Sequence, residues 1–121
     1  MIKTRPVFDG VQVIEIIDTL TEEETLEFIS VINQVFQKNR RPFLVLDIEK
    51  IEKIDDKGVQ VICTAIYKAV NNRGQIVLAC RQHHPVRQKF ECRRSSISFA
   101  IYDTASEAVV FLKGQVPPVS A

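Results

Sequence analysis

The sequence has no apolar run approaching the roughly 18 residues of a membrane-spanning helix. Its opening, Met1-Ile2-Lys3-Thr4-Arg5-Pro6, lacks the apolar core of a secretory signal, so no targeting segment is expected. An excess of one charge is missing too. The 16 Lys and Arg against 15 Asp and Glu leave a net charge of +1. That balance gives no argument for nucleic acid or an anionic membrane as partner. The three cysteines, Cys63, Cys80 and Cys92, are odd in number and irregularly spaced. No disulfide framework fits them, and free thiols in a reducing cytoplasm are the expectation. Paired Cys-x-x-Cys or His-x-x-x-His elements are absent, so Cys80, His83, His84 and Cys92 match no common zinc spacing. Neither a metal nor another cofactor is expected.

What is present is a core. The 121 residues are 45% hydrophobic, enough for one packed domain. Asp9-Gly10 between Val7-Phe8 and Val11 to Ile17 predicts a hairpin, because glycine accepts the positive φ of a tight turn. Val11 to Ile17 is apolar on both parities, as in a strand buried on both faces. Thr21-Glu22-Glu23-Glu24 reads as a capping box for a helix to about Lys38. Leu26, Ile29, Ile32, Val35 and Phe36 are its expected buried stripe. A strand Phe43 to Ile48 follows, then a helix from about Lys57 to Asn71 with Val59, Ile62, Ile66, Ala69 and Val70 inward. Gly74 is expected to stop it from a left-handed cap position.

Gln75 to Cys80 is the next strand. His83-His84-Pro85 opens a helix over roughly Val86 to Arg93, with Cys92 on its apolar side. A short strand, Ile97 to Tyr102, precedes a second capping box at Thr104-Ala105-Ser106-Glu107 and a last helix to about Lys113, stopped by Gly114. The domain thus spans residues 1–113, and 114–121 is expected to be a loose tail. The order β-β-α-β-α-β-α-β-α predicts an α/β fold with a largely parallel mixed sheet packed by helices.

Three segments in this order resemble the STAS domain, the family of sulfate transporters and anti-sigma factor antagonists. They are Leu44 to Ile48 with Ile51, Ile54, Asp55 and Gly58; Gly74 to Leu78; and Phe99 to Thr104 with Glu107 and Ala108. The resemblance implies a non-enzymatic, protein-binding regulator of transcription in a bacterial cytoplasm. Bacterial members dock on an anti-sigma factor that is also a serine-protein kinase, and phosphorylation of the second hydroxyl in the switch turn breaks the complex. That turn reads Asp-Ser-Ser/Thr-Gly in the family. Here Asp55 and Gly58 match it, while Asp56 and Lys57 stand at the two hydroxyl positions. Lysine cannot accept the phosphoryl group in this chemistry. A second departure is Asp18-Thr19-Leu20-Thr21, where the family often has Gly-x-Leu-Asp.

The resemblance therefore implies a divergent antagonist that docks without being phosphorylated at the usual turn. The partner-binding turn is expected at Asp55, Asp56, Lys57 and Gly58, with Asp18, Thr21, Gln60, Thr64 and Lys68 as a weaker flanking surface. Other STAS proteins and a second copy of the chain are further partners this reading allows. The alternative is a soluble accessory subunit of a transporter or of a multi-STAS assembly.

Bland readings stand beside these. Asp55-Asp56 serves either as a helix cap or as a fixed negative charge at the docking turn. No His, Ser or metal-ligand set accompanies the two carboxylates, so catalysis is not expected. The basic run Arg81, His83, His84, Arg87, Lys89, Arg93 and Arg94 is either a solvated helix face or a patch for an acidic partner. Thr64 and Ser95 are hydroxyls that would be able to replace a lost switch.

Overall fold

The computed structural model describes residues 1–6, 9–93 and 99–116. Along the chain come β1 (Ile2–Thr4), β2 (Val11–Ile16), β3 (Asp18–Leu20), a 3₁₀ turn (Glu22–Glu24) and α1 (Thr25–Lys38). Then follow β4 (Phe43–Asp47), β5 (Ile51–Ile54), α2 (Asp56–Asn71), β6 (Gln75–Ala79), α3 (Pro85–Glu91), β7 (Ile101–Tyr102) and α4 (Ala105–Lys113). Five strands form one sheet in the order β1-β2-β4-β6-β7. β1 is antiparallel to β2, and the other pairs are parallel.

Strand parity explains the layering. Ile14, Ile16, Leu44, Leu46, Ile76 and Leu78 face one side of the sheet, where they pack with α1, α2 and α3. Val11, Phe43, Val45, Val77 and Ala79 face the other, against Ala108 and Leu112 of α4. Apolar residues on both parities are what a strand covered on both faces requires.

Several expectations need correction. The first strand is Ile2–Thr4, paired Ile2↔Ile16 and Thr4↔Ile14. The expected Val7-Phe8 lies outside the described residues, as do Ile97 and Ser98 of the last expected strand. The turn at Asp9 and Gly10 does take positive φ at both residues, 52° and 80°. Thr21 does not cap α1. Its hydroxyl donates to Glu24 Oε2 at 2.9 Å, and residues 22–24 form the 3₁₀ turn before the helix begins at Thr25.

The buried stripe of α1 is Thr25, Phe28, Ile32 and Val35, leaving Leu26 75% and Ile29 41% exposed. Seven apolar positions between Leu26 and Phe36 are more than one helix face holds, so spacing alone could not select among them. Val70 is likewise exposed, and Cys92 is exposed at the end of α3. The left-handed residue after α2 is Arg73 (φ 62°), not Gly74. Gly74 is needed for space: a Cβ there would fall 2.1 Å from the Pro42 carbonyl oxygen.

Two short strands were not expected from the sequence. β3 and β5 form a separate parallel pair, with Thr19↔Lys53 and Leu20↔Ile54 in register. Part of the expected tail is packed, since Val116 donates its N–H to Leu112 O and contacts the α4-side core. Residues 117–121 lie outside the described residues.

Candidate functional site

β5 ends at Ile54 and delivers Asp55 to the start of α2 in extended backbone (φ −106°, ψ −178°). Its carboxylate works twice. Oδ1 accepts from Gly58 N at 2.9 Å, which caps α2, and Oδ2 accepts from Glu22 N at 3.0 Å. The second bond crosses to the segment that follows β3. Two stretches more than thirty residues apart are thereby held side by side, with the β3–β5 ladder beneath them. Gly58 makes the approach possible, because a Cβ at this position would collide with the Leu20 carbonyl oxygen.

The Gly58 N–H, followed by that of Glu22, holds the Asp55 carboxyl below its ordinary range, against an opposing push from burial. Glu24 is lowered as well, first by the Thr19 hydroxyl and then by that of Thr21. Both carboxylates are anionic anchors of the loop. With both oxygens of Asp55 engaged, no free carboxylate pair remains at Asp55-Asp56. Asp56 is exposed in the first turn of α2, where a negative charge suits the helix dipole.

The remaining expected residues surround this anchor. Asp18 is exposed at φ 70°, and Thr21 is half-buried beside Glu24. Lys57, Gln60, Thr64 and Lys68 lie along the exposed side of α2 and all four line one groove between α1 and α2. That groove has a volume of about 380 Å³ and also takes in Phe28, Ile29, Ile32, Asn33 and Val61. Thr64 Oγ1 donates to Gln60 O at 2.9 Å. Lys68 Nζ donates to Asn33 Oδ1 at 3.4 Å and stands 4.8 Å from the Phe36 ring centroid. The α1 wall is not apparent in the sequence, because the spacing of Ile29 matches that of the core stripe while the residue stays 41% exposed.

The basic run is largely engaged within the fold. Arg87 donates to Cys80 O at 2.6 Å and pairs with Asp103 at 2.8 Å and Glu91 at 3.1 Å. Lys89 Nζ donates to Ile54 O at 3.2 Å, tying α3 to the end of β5. Arg94 and Ser95 lie outside the described residues.

Glu49, Cys80 and His84 do come together, with potential ligand atoms within 4.8 Å of one another. The donor chemistry opposes metal capture. His84 Nδ1 accepts from Val86 N at 3.1 Å, which leaves the proton on Nε2, and Nε2 lies 3.0 Å from Glu49 O. Both ring nitrogens are therefore engaged. Burial, then the Glu49 charge, pushes the Cys80 thiol up to about 11.

Residues 3–108 match the family model described as the STAS domain. The chain belongs to the STAS domain family. No curated protein matches the sequence. Among solved structures, this STAS chain is similar to an anti-sigma factor antagonist from Mycobacterium paratuberculosis. The two are 19% identical with a TM-score of 0.77, over 93% of this chain and 95% of that one. It is also similar to the Bacillus anti-sigma factor antagonist SpoIIAA in its unphosphorylated form (14% identity, TM-score 0.72, 92% and 96% covered). A third likeness is to the murine Solute Carrier 26 family member A9 anion transporter. There identity is 16% and the TM-score 0.68, over 87% of this chain and 18% of that one. The mixed α/β fold is thus that of STAS domains, and no described helix is long and apolar enough to cross a membrane.

Proposed function

We propose that this STAS domain is a regulatory protein-binding module of the anti-sigma factor antagonist type. It docks on an anti-sigma factor that is a serine kinase, without being phosphorylated at the usual turn. The observation that carries this reading is the paired hydrogen bonding of Asp55, which accepts from Gly58 N and from Glu22 N. It joins the 55–58 turn and the segment after β3 into one surface beside the exposed side of α2. A surface held this way loses little conformational freedom on binding, which favours docking. Asp56 and Lys57, exposed and ending in carboxylate and ammonium, give the turn a fixed charge pattern in place of a hydroxyl. Similarity to anti-sigma factor antagonists supports the same class of partner.

The test uses the purified protein and a serine-kinase anti-sigma factor from the same organism, with complex formation followed by calorimetry. Saturable binding that weakens in Asp56→Ala, Lys57→Ala and Gln60→Ala is the expected result. Absence of a complex would remove the anti-sigma reading. The similarity to an anion-transporter STAS domain supports a second reading, an accessory subunit of a transporter or of a multi-STAS assembly. Binding to the cytoplasmic face of a permease, but not to the kinase, would favour it.

A further inference from the structure

The groove between α1 and α2 is more than a flank of the docking turn. Its floor is apolar: Phe28 and Ile32 are buried there, and Ile29 and Val61 stay partly open as its walls. Lys57 and Lys68 stand at its two ends, about three helical turns apart along α2. Among the described residues, none lining it is acidic. Among the described residues the Lys57 ammonium has no ion-pair partner, and Lys68 meets only an amide oxygen and an aromatic face. Both walls are helices whose main-chain groups are bonded internally, so an incoming strand would find no ladder to join. An apolar trough between helices suits a helix that lays side chains into it.

We infer that this groove receives an amphipathic helix of the partner, with apolar residues on one stripe and acidic residues near both ends. This inference rests on the docking function proposed above and names the element that is docked. The charge complementarity lies in two ammonium groups that make no ion pair among the described residues, over a trough with no described acidic residue in its lining. The length lies in the spacing of Lys57 and Lys68, which calls for a partner helix of about three to four turns.

The probe is a fluorescein-labelled synthetic helix of about 14 residues with leucines at i, i+4 and i+7 and glutamates toward both ends. Its control has lysines in place of the glutamates. Anisotropy with the full chain is expected to show saturable binding of the acidic peptide only. The double variant Lys57→Glu, Lys68→Glu is expected to weaken it about tenfold or more, and added salt to weaken it as well. Amide shifts of the labelled protein are expected at Ile29, Val61 and Thr64. Both lysines are exposed, so the variant should fold, and its thermal melt checks this.

Equal binding of the basic control, no saturable binding, shifts away from the groove, or self-association of the chain through this face would each overturn the inference. The two proposals fail separately. A kinase that binds a Lys68→Glu variant, which alters the groove and leaves the 55–58 turn intact, with unchanged affinity leaves the docking function standing and removes the groove as its seat. Peptide binding in the groove without any kinase complex does the reverse.

Discussion

Gly58 sits where the Leu20 carbonyl leaves no room for a side chain, since a Cβ would fall 2.1 Å from that oxygen and 2.8 Å from Ile54 Cγ1. Backbone cannot give way as a flexible side chain would. Gly58→Ala is therefore expected to cost about 2–3 kcal/mol, read as a lower urea midpoint with an unchanged slope. A change under about 0.5 kcal/mol would mean that the turn relaxes freely. Asp55 next to it makes a different prediction. Its carboxyl is lowered in the fold, by the Gly58 N–H first, so the folded state holds its proton less tightly than the unfolded chain does. The stability it adds is fully present above the unfolded value of about 3.9 and fades as pH falls through the lower folded value. The gap in melting temperature between wild type and Asp55→Asn should be constant above about pH 5 and narrow below about pH 4. A gap that widens on acidification would contradict the double acceptor role.

At the scale of elements, α3 shows how charged residues are spent on assembly. Arg87 is 12% exposed at its side chain, and its guanidinium spans the Cys80 carbonyl, Glu91 of its own helix and Asp103 before α4. Truncation strands a carbonyl and releases two carboxylates that are about half exposed, so water offsets part of the loss. Arg87→Ala is expected to destabilise the protein by about 1–2 kcal/mol. Faster hydrogen exchange confined to α3 and the end of β6 would show that the effect is local. Unchanged exchange there would return Arg87 to the status of a solvated surface residue. The periodicity of Val86 and Phe90 and the Pro85 start were legible in the sequence. The fate of the cations was not, because their partners Glu49, Ile54 O and Asp103 lie far along the chain or in the main chain.

For the molecule as a whole, the alternating architecture was legible because Phe43 to Asp47 and Gln75 to Ala79 carry apolar residues on both parities. The helices between them also carry recognisable stripes. The β3–β5 pair was not legible. Each strand is three or four residues long, Asp18, Glu52 and Lys53 are exposed, and Leu20, Ile51 and Ile54 alone carry the burial. The Asp55 turn was found as a motif, but its bond to Glu22 uses a backbone N–H that any residue offers, so no side chain announced it. What the assembled surface does is tested by placing a hydroxyl in the turn. Lys57→Ser puts that hydroxyl in the first turn of α2, where the helix N-terminus favours a phosphate. If a serine-kinase anti-sigma factor docks on this face, the variant should gain phosphate, measured by intact mass. The about two added negative charges beside Asp55 and Asp56 should then release the complex. The wild-type turn should gain none. Stable binding of the variant without phosphate transfer would mean that the face still docks a partner but is no longer presented to a kinase active site.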